Sequence, residues 1–163
     1  MSVYTKIIDS EVSDTFTRYT QSLIIPYIDY IAIGIQNKKT RKSTSIMSNI
    51  DWNNEFEDNQ YAAFDPLRRS VLNTERSYIC FDFIDHIDSQ GAYIMHRRRK
   101  KCAKNGVILI ERTPESNTLI TLGSNYSKFN PIEFTIKYNK DLQVLKDDLS
   151  NILSSEIMVS LNL

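Results

Sequence analysis

The chain predicts an α/β protein, an α-β-α sandwich with a central antiparallel sheet of about five strands. Three observations carry that expectation. Four of the strand candidates fall into two pairs, each joined by a short polar turn, which is the signature of hairpins. The amphipathic helical stretches stand around those pairs and not between every two strands, as a parallel βαβ arrangement would need. The 163 residues, 41% of them hydrophobic, suffice for one core and one domain, residues 1–163.

In chain order, "DSEVSDTFTRYTQSLI" (9–24) sets Val12, Phe16, Tyr19 and Leu23 at a three-to-four spacing behind a Ser/Asp-rich start, and predicts a helix that Pro26 closes. "YIAIGIQ" (30–36) alternates Ile31, Ile33 and Ile35 with Ala32 and Gly34, so a strand here is bulky on one face and open on the other. "NKKTRK" (37–42) is the turn and "STSIMS" (43–48) the returning strand. "WNNEFEDNQY" and "DPLRRSVLN" read as two short helices, the second with Asp65 as N-cap and Pro66 at its first position. A strand is expected over 77–84, a helix over 88–105, and a hairpin from 106–112 and 117–124 around "TPES". The last helix, 139–161, places Leu142, Leu145, Leu149, Ile152 and Leu153 on one face. The order α, β, β, α, α, β, α, β, β, α is that of a sandwich of the PAS or GAF kind, whose sheets often cradle a small molecule.

Composition removes several classes of function. Twenty basic and twenty acidic residues leave a formal net charge of zero, so no overall field draws the chain to nucleic acid or membrane. No apolar window reaches membrane-spanning length and no leader pattern opens the chain, which points to a cytoplasmic protein. Cys80 and Cys102 are too few for a disulfide framework, and His86 and His96 lack companions at zinc spacing, so neither metal nor cofactor is expected. No Ser-His-Asp set, glycine-rich phosphate loop or paired carboxylates stands in a recognisable frame, and no enzyme is expected. The run Arg97 to Lys101 spans more than a helical turn, so its five charges cannot share one face; nucleic-acid binding through it is the least favoured reading.

"DWNNEFEDNQYAAFDP" (51–66) holds the single tryptophan, an aromatic four residues on, and Asp65-Pro66 thirteen residues beyond Trp52. That spacing resembles the signature of the autoinducer-binding domain of LuxR-type quorum-sensing regulators, and "CAKNGVILIERTPESNTLITLGS" (102–124) is similar to a later segment of the same family. The resemblance implies a pocket for an N-acyl homoserine lactone or related small acyl ligand. In it the Trp52 indole donates to the lactone carbonyl, the Asp65 carboxylate accepts from the ligand amide, Phe56 and Tyr61 supply ring contacts, Thr121 reaches a polar ligand group, and Ala32 and Gly34 floor the acyl channel. Ser48 stands where the family commonly has a tyrosine, and its short hydroxyl does not span the same gap without a water. Read without the resemblance, the same aromatics are core and Asp65 is a helix cap.

LuxR-type regulators carry a C-terminal helix-turn-helix domain, and nothing follows Leu163 in this sequence. "SSEIMVSLNL" reads as the end of a packing helix, so a natural stand-alone sensor domain is expected, without direct DNA binding, that modulates signalling or transcription through protein partners. The leucine stripe on the last helix either dimerises, with a second copy or a LuxR-type partner, or covers the sheet. The alternative function is a ligand-free interaction module on the same fold, an anti-activator acting by heterodimerisation.

Overall fold

A computed structural model describes residues 10–84 and 88–154. Five strands, β1 (Tyr30–Asn37), β2 (Ser43–Met47), β3 (Tyr78–Cys80), β4 (Asn105–Arg112) and β5 (Ser116–Ser124), form one sheet in the order β2-β1-β5-β4-β3. Every pair is antiparallel, as the hairpin pattern predicts. The two hairpins are joined by β1 against β5, in a register running from Tyr30 opposite Gly123 to Asn37 opposite Ser116.

The alternation in β1 sorts the two layers. Ile31, Ile33 and Ile35 enter a core with Phe16 of α1 (Ser10–Ser22), Phe134 of α5 (Pro131–Lys137) and Leu142, Leu145 and Leu149 of α6 (Asn139–Ile152). The Tyr19 hydroxyl of α1 donates to Asp148 of α6 at 2.6 Å and ties this layer together. Tyr30 and Ala32 face the other way, toward Trp52 and Phe56 of α2 (Ile50–Asp58) and Ile94 of α4 (Ser89–Lys101). Beside them Leu67 and Val71 of α3 (Pro66–Leu72) pack with Met95, Ile108 and Leu119.

The leucine stripe therefore covers the sheet. Leu142, Leu145 and Leu149 are almost fully buried within the chain, each adding about 1.5–3 kcal/mol of burial, and they are not available to a second copy. Of the sequence expected to carry this helix to residue 161, residues 155–161 lie outside the described residues.

Three expectations need correction. The strand over 77–84 ends at Cys80, because Phe81 turns inward over Gly106, where a Cβ would come within 2.7 Å of the ring, and the chain continues as a 3-10 turn through Phe83. The helix over 88–105 stops at Lys101, and Asn105 and Gly106 already belong to β4. The helix α5 was not expected, although its start repeats the device seen at Asp65-Pro66. Asn130 accepts from the amides of Ile132 and Glu133, both at 3.1 Å, and Pro131 takes the first position.

Candidate functional site

The small residues of β1 leave a cavity of about 60 Å³ between the sheet and the α2–α3 segment. Ala32 and Gly34 form its floor, flanked in register by Met47 and Ser45 on β2 and by Thr121 and Leu119 on β5. Gln36 extends the same row. Phe56, Asp65, Arg68 and Arg98 close it from the helical side. The half-buried lining residues Gly34, Ser43, Ser45, Ala62 and Arg68 mark where it meets the surface, while Ala32, Thr121, Phe56, Asp65 and Arg98 are buried. A drug-sized site runs to about 300 Å³ or more, so the space fits a short chain or a few waters.

Local capping places the polar side chains. Asn49 accepts from the Trp52 amide at 2.9 Å to start α2, and its own amide group donates to the Lys101 carbonyl at 3.0 Å, which pins α2 to the end of α4. Asp88 accepts from the Gly91 amide at 2.6 Å to start α4 and pairs with Arg69 of α3 at 2.6 Å. Asp65 caps α3 by accepting from the Leu67 amide at 3.1 Å.

The Asp65 cap is buried, only 4% exposed, and carries a second duty. Arg98, 2% exposed, donates to both of its oxygens, at 2.9 and 3.0 Å. With the Leu67 amide, three of the four acceptor sites of the carboxylate are taken. Burial pulls the Arg98 guanidinium down, but the adjacent carboxylate outweighs it and holds the group above its ordinary pKa. The guanidinium also lies 5.5 Å over the Trp52 ring, a cation–π contact in a desolvated setting. Its Nε has no hydrogen-bond partner.

Trp52 is fully buried and stands one layer behind the cavity, against Phe56 at 5.9 Å and Tyr61 at 5.8 Å between ring centres. Its indole N–H has no hydrogen-bond partner; it lies near the Tyr30 hydroxyl, close enough to influence that group but outside bonding geometry. Burial raises the Tyr30 hydroxyl far above its ordinary pKa, and the thiol of Cys102 is likewise pushed up to about 12, so both are neutral. Tyr61 packs edge-on to Phe56 and Tyr93 and donates to Glu55, which holds Arg97 at 2.7 and 2.8 Å. The Ser48 hydroxyl is exposed and accepts from the Ile31 amide at 2.9 Å, supporting the strand edge.

Of the residues expected at a pocket, Ala32, Gly34, Phe56, Asp65 and Thr121 come together around the cavity. Trp52 and Tyr61 do not line it, although Trp52 touches the lining residues Phe56 and Arg98, and Ser48 serves the backbone. Sequence reasoning missed Arg98 and Arg68. The helical period carried a signal for the first: the buried positions of α4 are Gly91, Ile94, Met95 and Arg98, so the arginine falls on the apolar face. The basic run is split accordingly, with Arg97 paired to Glu55 and Arg98 to Asp65. The described residues hold no group of three or more His, Cys, Asp or Glu able to bind a metal, and none of their helices is long and apolar enough to cross a membrane.

The five-stranded antiparallel sheet between two helical layers matches the fold of LuxR-type autoinducer-binding domains. Solved structures that share it include SdiA of Escherichia coli, 16% identical with a TM-score of 0.59 over 95% of this chain and 63% of that one. SdiA in complex with octanoyl-rac-glycerol is 15% identical, with a TM-score of 0.64 over 92% of this chain and 61% of that one. CepR2 of Burkholderia cenocepacia, an N-acylhomoserine lactone dependent transcription factor of the LuxR family, is 12% identical, with a TM-score of 0.58 over 82% and 77%. The chain spans less than two thirds of the length of those two SdiA chains. No family model and no curated protein matches the sequence.

Proposed function

We propose that this chain is a non-enzymatic, cytoplasmic sensor domain that binds a small acyl ligand in the cavity over Ala32 and Gly34 and modulates signalling or transcription through protein partners. The observation that carries this reading is the cavity itself. A strand that sets small residues against large ones keeps a space open between the sheet and the helices, and its walls combine apolar surface with a few convergent polar groups. The likeness to a fold in which SdiA has been solved with an octanoyl glyceride supports an acyl occupant. An assay for acyl species carried through purification, by mass spectrometry of the native and the denatured protein, tests it. The reading predicts a stoichiometric acyl compound, or uptake of one when short-chain acyl compounds are supplied; a protein that carries none and takes up none contradicts it.

A second reading, a ligand-free interaction module pairing with a regulator of the same fold, is favoured by one observation. Arg98 already supplies the Asp65 carboxylate with the donors that the resemblance assigns to a ligand, so this end of the site is satisfied without one. Either way the partner surface is not the α6 leucine stripe, which is spent on the sheet.

A further inference from the structure

We infer that the ligand of this cavity is a short acyl chain ending in a carboxylate, with the chain on the apolar floor and the carboxylate at the mouth against Arg68; the inference rests on the acyl-sensor reading above. Among residues lining the cavity the charged ones are Asp65, Arg68 and Arg98, two positive against one negative. Asp65 and Arg98 close on each other as a buried bidentate pair. That leaves the lining with an excess of one positive charge, and Arg68, which feels Asp65 only through space, is the cation without an ion-pair contact of its own.

Arg68 is half-buried at the rim. Its guanidinium donates to the Ala62 carbonyl at 2.9 Å, and among the described residues no carboxylate is in ion-pair contact with it. One of five donors is thus used. Burial lowers its pKa, and the nearby Asp65 charge offsets only part of that. An incoming carboxylate supplies what the site lacks, in the planar two-point geometry that a guanidinium matches.

A neutral ligand with an amide donor meets the opposite situation. The one carboxylate in the lining, Asp65, has three of its four sites occupied, and the unsatisfied buried group beside it, the Arg98 Nε, is a donor. Below the mouth, Ala32, Met47, Phe56 and Leu119 offer apolar surface for a chain. The volume of about 60 Å³ favours a short one.

Calorimetric titration of the full chain with hexanoate, hexanamide and N-hexanoyl homoserine lactone tests the inference. Hexanoate should bind at least about tenfold more tightly than the amide or the lactone. Arg68→Gln should abolish that preference, and Arg68→Lys, which keeps the charge, should retain part of it, with thermal melts confirming that both variants are folded. Amide or lactone binding equal to or tighter than hexanoate overturns the carboxylate assignment while leaving an acyl site in place. Hexanoate binding unchanged in Arg68→Gln also overturns it. Failure of all three probes to bind wild-type protein removes the acyl-sensor reading as well.

Discussion

Asp65 does three things at once: it begins α3, it neutralises a buried guanidinium, and it fixes Arg98 over the Trp52 ring. Removing one member of such a pair leaves the other charge buried and uncompensated, at a cost of about 3–5 kcal/mol, whereas replacing both with apolar or neutral groups of similar shape is often close to neutral. Asp65→Asn should therefore lower the unfolding free energy in urea by about that amount, and adding Arg98→Met should recover much of it. A single Asp65→Asn variant as stable as wild type would show that the pair is not closed in solution. At the rim of the same helices, Arg97 first by its hydrogen bond and then by its charge holds the Glu55 carboxyl below its ordinary value of 4.5. A depressed carboxyl contributes stability above that ordinary value and loses it as pH falls through the lower, folded-state pKa. Denaturation curves below about pH 4.5 should accordingly be less steep in pH for Glu55→Gln than for wild type.

At the scale of elements, β1 decides where the site is. Gly34 lies at an ordinary negative φ, and a Cβ built on it would meet nothing closer than 3.7 Å, the Cβ of Ser45. Glycine is thus not required by the backbone, and Gly34→Ala should stabilise the chain by about 0.5–1 kcal/mol in thermal or urea unfolding while narrowing the cavity floor. A destabilised variant would mean that the floor is tighter than the geometry shows. The open face of this strand was legible in the alternation of isoleucines with Ala32 and Gly34. So was the helix cap at Asp65-Pro66, because Asx-Pro chemistry is local. The same local rule, applied to Asn130-Pro131, was overlooked for α5. The partner of Asp65 was not legible in spacing to Trp52, because the pair is made across the fold by α4, thirty-three residues away. Only the helical period of α4, with Arg98 on its apolar face, pointed to it.

For the whole molecule, hairpin order was enough to give an antiparallel sheet, but not the β1–β5 junction that unites the hairpins, since nothing local encodes contact between residues as far apart as Tyr30 and Gly123. Nor did the α6 stripe reveal its occupant, because leucines at helical spacing serve a sheet or a second helix equally well. Packing resolves that question in favour of the sheet, and so confines the candidate site to the opposite layer, under α2, α3 and α4. Fold alone does not determine function, and a sensor role depends on occupancy of the cavity over Ala32 and Gly34. Its most direct test is a two-dimensional amide NMR titration of the full chain with hexanoate and, in parallel, with the neutral 1-hexanoylglycerol. The account predicts shifts from at least one probe concentrated at Ala32, Gly34, Leu67, Arg68 and Thr121, with α5 and α6 unmoved; shifts confined to the α5–α6 face, or none from either probe, would contradict it.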